Sequence, residues 1–188
     1  MIANRGRARL IGPGSFGDAV AYITRAGEHA QRHEPALAVW SDGVTSIDTA
    51  ALEMSAVAAA SRARRDPLYH LIVSWAPGEE PTAEQARAAT REQLKALGFA
   101  GHQYVAALQN DGDGGLHHVH VVVNRVSPVT YRSHAPQQDF ETMRDTCRAI
   151  ELAQGWQYLG GREGPRVGRG ARDAEYWQRR RCWERRMR

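Results

Sequence analysis

Lysine is nearly missing from this chain. Lys95 stands alone among 25 basic residues, so arginine carries the positive charge. Arginine presents a planar fork of donors that matches two phosphate oxygens, where lysine offers a point charge. Cysteine is scarce as well. Cys147 and Cys182 fall in expected helices and match no metal-ligand spacing. That argues against a thiolate zinc site or a disulfide-stapled scaffold, and makes a reduced, cytoplasmic setting the expectation. No apolar run approaches the ~20 residues of a membrane helix. Met1 to Arg7 has charges but no apolar stretch behind them, so no secretory signal is read there. No internal repeat is seen.

What is present fits a folded body with a basic arm. At 188 residues, with 42% hydrophobic and 24% charged, the chain can bury a full core. The net charge of +4 is uneven. Residues 162–188 hold ten arginines against four acids, or +6, which leaves −2 for the remainder. Residues 1–160 are read as the domain and 161–188 as an arginine-rich linker and basic C-terminal helix. A basic arm on a neutral body points to nucleic acid, and an exposed helix end accounts for the arm equally well.

The most informative stretch is Leu116 to Asn124. It is apolar and β-branched, entered from Asp111-Gly112-Asp113-Gly114-Gly115 and followed by Pro128. That pattern predicts a buried strand. Side chains alternate along a strand, so His118, His120, Val122 and Asn124 share one face and Val119, Val121 and Val123 the other. The valines want a core. The histidines set two imidazoles side by side, as a divalent metal requires. Paired histidines are often structural; the acidic turn before them and Asn124 after them favour metal.

Around this strand the chain reads roughly as βα β α β α ββ α. Residues 1–11 form an edge strand with Arg5, Arg7 and Arg9 on one face. Ser15 caps a helix to about Ala26 that carries Tyr22. Ala36 to Trp40 is a strand and Ser41-Asp42-Gly43 a turn. Asp48 or Thr49 caps an alanine-rich helix to about Ala63. Tyr69 to Trp75 is a strand with His70, Ile72 and Ser74 on one face. Thr82 to Gln85 is a capping box opening a helix that closes at Gly98. His102 to Gln109 is a strand that forms a hairpin with the histidine strand. Thr130 to Arg132 is a further short strand, and Asp139 to Gln154 a helix. The order predicts an α+β domain: a mostly antiparallel sheet flanked by helices. His29, His33, His102 and His134 are read as surface or structural.

Three separated motifs resemble the HUH-type conjugative relaxases of the P-type mobilisation family, which includes the T-DNA border endonuclease. The first is Ser15-Phe16 followed by Ala21-Tyr22-Ile23. The second runs from Tyr69 to Ser74, with Gly78-Glu79 after it. The third is Asp111 to Asn124 with His118-Val119-His120 at its centre. The resemblance covers residues 1 to about 155. One position departs from the pattern: Gln109 stands where the family usually has a third histidine, and the turn is one residue longer, with an extra His117.

The resemblance implies a DNA relaxase. Tyr22 would attack the scissile phosphate of single-stranded origin-of-transfer DNA, leaving a 5′-phosphotyrosyl link and a free 3′-OH. His118, His120 and Gln109 would hold a divalent ion, Mg²⁺ or Mn²⁺. Asp111 would orient a histidine or take the phenolic proton, and Ser74 would touch DNA. From the residues, Asn124 is a weaker second contact on the histidine face, and Arg5 and Arg7 supply phosphate contacts. Relaxosome accessory proteins, a bacterial cytoplasmic setting and further domains beyond this chain are expected on the same grounds. The alternatives are a non-catalytic single-stranded DNA-binding module of the same fold, a rolling-circle replication initiator, and a metal-dependent hydrolase in which Tyr22 is structural. Initiators usually place the tyrosine after the histidines, and Tyr22 precedes them.

Overall fold

The structure is a computed structural model that describes residues 1–5, 15–27, 29, 34–62, 66–111 and 116–157. Arg7, the turn at 112–115 and the basic C-terminal segment lie outside the described residues, as do the side chains of Asn4 and Asp111. The element order is β1 (Ile2–Arg5), α1 (Phe16–Thr24), β2 (Ala38–Asp42), α2 (Ile47–Ala59), β3 (Leu68–Ser74), α3 (Ala83–Ala96), β4 (Tyr104–Asp111), β5 (Leu116–Asn124) and α4 (Asp139–Gln154). This is the α+β arrangement the sequence predicts.

The strands form one antiparallel sheet in the order β1-β3-β5-β4-β2. The histidine strand β5 is therefore central, and it is buried from His117 to Asn124. A central strand is covered on both faces, so β5 buries valines on one and, on the other, His118, His120 and Asn124 with hydrogen-bond partners. Val119, Val121 and Val123 pack with Tyr69, Leu71 and Val73 of β3 against Leu94 of α3 and Met143, Cys147 and Ile150 of α4. Each fully buried valine contributes roughly 1.5–3 kcal/mol. On the other face Val122, Val105 and Leu68 pack against Phe16, Val20 and Ile23 of α1 and Met54 of α2. The sheet is thus a middle layer, with α1 and α2 on one side and α3 and α4 on the other.

Local chemistry sets the helix starts. Ser15 accepts from the Asp18 N–H, and Thr82 and Gln85 form the expected capping box. Four expectations are corrected. Ser46, not Asp48 or Thr49, caps α2, because Thr49 donates its N–H to the Ser46 hydroxyl. That helix also stops at Ala59; its small-residue face buries only Ala50 and Met54, so little packing extends it. Ser41 and Asp42 belong to β2, since they pair with Val105 and Tyr104, and the chain turns at Gly43 with φ +70°. Residues 130–132 are not a strand. A single bridge joins Val126 to Ser133, and Tyr131 takes φ 53° in the intervening loop.

Candidate active site

Pairing in the sheet assembles the site from three strands. Ser74 sits opposite His118 in β5, and His118 sits opposite Gln109 in β4. One step along, Ile72, His120 and Ala107 are abreast. Parity then places His70, Ser74, His118, His120 and Gln109 on the face covered by α1. Helix α1 lays Tyr22 on this row. The phenol ring meets the His120 ring edge-on at 5.8 Å and the His29 ring at 5.5 Å. His29, read from sequence as structural, is thus a neighbour of Tyr22.

The imidazoles form a chain. His118 Nε2 lies 3.1 Å from His120 Nε2, and His120 Nδ1 lies 2.9 Å from His70 Nε2. His118 Nδ1 lies 3.2 Å from the Leu116 carbonyl oxygen. A carbonyl only accepts, so His118 Nδ1 carries a proton, and in the neutral form of the ring its Nε2 turns a lone pair toward His120. His120 Nε2–H then donates to it, and His70 Nε2–H donates to His120 Nδ1. Burial pushes His70 down to about 4. Burial, then the charge that His118 and His70 carry when protonated and that of Arg25, pushes His120 well below the usual histidine value. His70 and His120 are therefore neutral at pH 7, the form that ligates metal.

These shifts predict a pH-dependent stability for chelator-treated protein. Below pH ~6.5 the unfolded chain protonates these rings while the fold keeps them neutral. The unfolded state then binds more protons, so stability is complete above that pH and is lost as the pH falls toward 4. For His70 alone the loss reaches about 3 kcal/mol at the acid end. Urea unfolding between pH 7.5 and 4.5 measures it; a flat profile would contradict the buried neutral chain.

The donor set fits a divalent ion at the imidazole pair. Two nitrogens on one ion, each about 2.1 Å away and at right angles, stand about 3 Å apart, and the Nε2 atoms of His118 and His120 are separated by 3.1 Å. Mg²⁺ and Mn²⁺ leave several positions to water and phosphate oxygens, so few protein ligands are needed. Among the described residues no group of three or more His, Cys, Asp or Glu is arranged to hold a metal. His70 stands behind His120 and does not converge with the pair.

The remaining expected residues separate clearly. Gln109 reaches the site, but its amide is committed elsewhere. Its oxygen accepts from Arg25 at 2.6 Å and its nitrogen donates to the Ile23 carbonyl at 2.6 Å. An oxygen already facing a guanidinium is a poor third ligand, and Gln109 serves in this structure as a tie between β4 and the end of α1. Arg25 is buried, left-handed at φ 58°, and lies over the Tyr22 ring at 5.7 Å. Sequence reasoning passed over Arg25, since nothing in the spacing marks a left-handed arginine after a helix. It also passed over His70, although parity with Ser74 was visible; the adjacency of β3 and β5 was not.

Asn124 is corrected from a DNA contact to a structural latch. It is wholly buried; its Nδ2 donates to the Met54 carbonyl and to Gln103 Oε1, and its Oδ1 accepts from the Val126 N–H. Asn124→Ala strands three polar groups and is expected to cost about 2–4 kcal/mol. Chemical denaturation checks this, and metal affinity of the folded variant should not change. Arg5 is on the opposite sheet face from the imidazoles, because it pairs with Leu71. There it lies over the Tyr69 ring at 5.2 Å and 4.0 Å from Asp139, so it is not part of this row. Asp111 ends β4 opposite Leu116, two residues beyond Gln109.

Comparison with known proteins places the chain in a family. Residues 22–156 match the family described as relaxase, MobA/VirD2-like, nuclease domain. A protein TraI of Escherichia coli is 30% identical over 155 residues, covering 82% of this chain and 20% of that protein. A protein MobA of Acidithiobacillus ferrooxidans is 35% identical over 95 residues, covering 50% of this chain and 23% of that protein. The chain spans about a fifth of the length of these relatives. The family match begins at Tyr22, in the last turn of α1, and takes in the Ser74 strand and the histidine strand, and the chain belongs to the MobA/VirD2-like relaxase nuclease-domain family.

Proposed function

We propose that this chain nicks and rejoins one DNA strand at an origin of transfer by tyrosine transesterification. The observation that carries the reading is the Tyr22 ring set edge-on against His120, beside the paired Nε2 atoms of His118 and His120. The Tyr22 oxygen forms a bond to phosphorus, and the bond from phosphorus to the 3′-oxygen breaks. The phenolic proton leaves to a nearby base, for which Asp111 is the candidate, and the departing 3′-oxygen takes up a proton. One phosphodiester is exchanged for another, so the step reverses without an energy source. His118 and His120 would hold Mg²⁺ or Mn²⁺, which when bound neutralises phosphate charge and helps fix the in-line geometry.

Tyr22 and the pair sit on one sheet face, so a phosphate entering from that side meets both. Ser74, half-buried at the end of β3 beside His118, would steady the DNA next to the cleaved bond. Single-stranded origin DNA is the proposed partner, with accessory proteins opening the duplex and the bacterial cytoplasm the setting. The test is a labelled single-stranded oligonucleotide series from the sequences flanking the gene and from the relatives' origins, incubated with Mn²⁺. A protein–DNA adduct that survives denaturing electrophoresis is expected. Specific binding without an adduct in any metal would instead identify a binding module, the reading favoured by the commitment of Gln109 to Arg25.

A further inference from the structure

His70 has no part in the function proposed above, yet it is among the most deeply set polar groups of the molecule, 2% exposed at the middle of β3. Its ring stacks on His120 with centroids 5.1 Å apart and planes 21° from parallel. One nitrogen, Nε2, meets His120 Nδ1; the other, Nδ1, is buried with no hydrogen-bond partner among the described residues. Buried polar atoms without partners are rare. The structural histidines of this fold are built differently: His102 Nδ1 is anchored on the Asn124 carbonyl and His134 Nε2 on the Leu97 carbonyl. Each of those carbonyls fixes the protonated nitrogen of its ring.

Nothing fixes His70. With no acceptor at Nδ1, its Nε2 is able either to donate to His120 Nδ1 or to accept from it. His120 needs both. In the chain of rings described above, His120 keeps its proton on Nε2, facing His118. With a cation between the pair, His120 must turn a lone pair toward it, and its proton moves to Nδ1. A carbonyl behind His120 would serve the second state only. An ammonium or guanidinium donor there would serve the first only.

We propose that His70 is a positioning residue that holds the His120 ring through either tautomer, so that the Nε2 atoms of His118 and His120 stay aimed at one point. The proposal rests on the reading of that pair as the cation seat, and its test separates the two. In metal-free ¹⁵N-labelled protein, long-range proton–nitrogen correlation of the imidazoles reports the His120 tautomer directly. Wild type is expected to show one tautomer, with the proton on Nε2. His70→Phe keeps the ring's bulk and removes the nitrogen; His118 still holds the His120 proton on Nε2, and the His120 Nδ1 signal should shift to that of a nitrogen that has lost its hydrogen bond. Titration calorimetry with Mn²⁺ should show affinity weaker by about 10–100-fold in His70→Phe, the usual cost of losing a partner behind a ligating histidine. His70→Gln places an amide that can donate or accept near the lost Nε2, and should recover most of that affinity. Should His70→Phe not fold, His70→Leu takes its place. A folded apolar variant with an unchanged His120 Nδ1 signal and Mn²⁺ affinity within twofold of wild type overturns the proposal. Wild type that binds no Mn²⁺ removes the cation seat, and the His120 Nδ1 signal still decides whether His70 holds that ring.

Discussion

Tyr22→Phe is expected to eliminate the covalent protein–DNA species and to lower nicking by on the order of 10³-fold or more. The substitution removes one oxygen and leaves the ring. The packing of that ring on His120 and under Arg25 is aromatic and survives. Stability should therefore stay within about 0.5 kcal/mol, and Mn²⁺ affinity should be unaltered. This combination separates the chemistries. If activated water were the nucleophile, cleavage would persist in the variant and no adduct would have formed in wild type. If Tyr22 were merely a packing residue, Phe would be nearly silent. Quantitative adduct formation on denaturing gels, with thermal melts alongside, gives the answer; residual adduct would mean that another tyrosine attacks.

His118→Ala is expected to have the next largest effect. Two imidazoles cooperate in the proposed seat, and loss of one should weaken Mn²⁺ binding by about a hundredfold or more, with nicking at limiting metal falling in parallel. His118 is the cleaner position. It lies near the start of β5, two residues from Leu116, whereas His120 is deep between β3 and β4. His120→Ala should lose metal as well, and in addition about 2–4 kcal/mol of stability from the void it leaves. Raising Mn²⁺ should restore part of the His118→Ala activity and none of the Tyr22→Phe activity. Calorimetry that finds wild-type Mn²⁺ affinity in His118→Ala would remove the pair from the proposed metal site.

The two results concern residues that differ in how openly the sequence displays them. The histidine strand declares itself: its period of two and its valines determine both the strand and the facing of His118 and His120. The α3 start is equally plain, since Thr82 and Gln85 satisfy each other's backbone within four residues. What spacing does not carry is which strands become neighbours. Placing β3 beside β5 is what brings His70 and Ser74 to the histidines. Asn124 shows the reverse limit. Parity assigns its face correctly, but it lies four residues beyond His120, beneath α2, where its amide is consumed by Met54, Gln103 and Val126. Gln109 occupies the expected neighbourhood too. Only the position of Arg25, set by a left-handed residue just past α1, determines where its oxygen is spent.

That one carboxamide has a mechanical consequence. It grips the Ile23 carbonyl, one residue after the tyrosine, and the guanidinium two residues further on, while its own backbone lies directly across from His118. The helix that carries Tyr22 and the strand pair that carries His118 are riveted through a single side chain. In the proposed reaction, DNA tugging on the helix end would load the hairpin at the very rung that bears the first imidazole, and tension in the substrate would alter the gap between Tyr22 and the proposed ion seat.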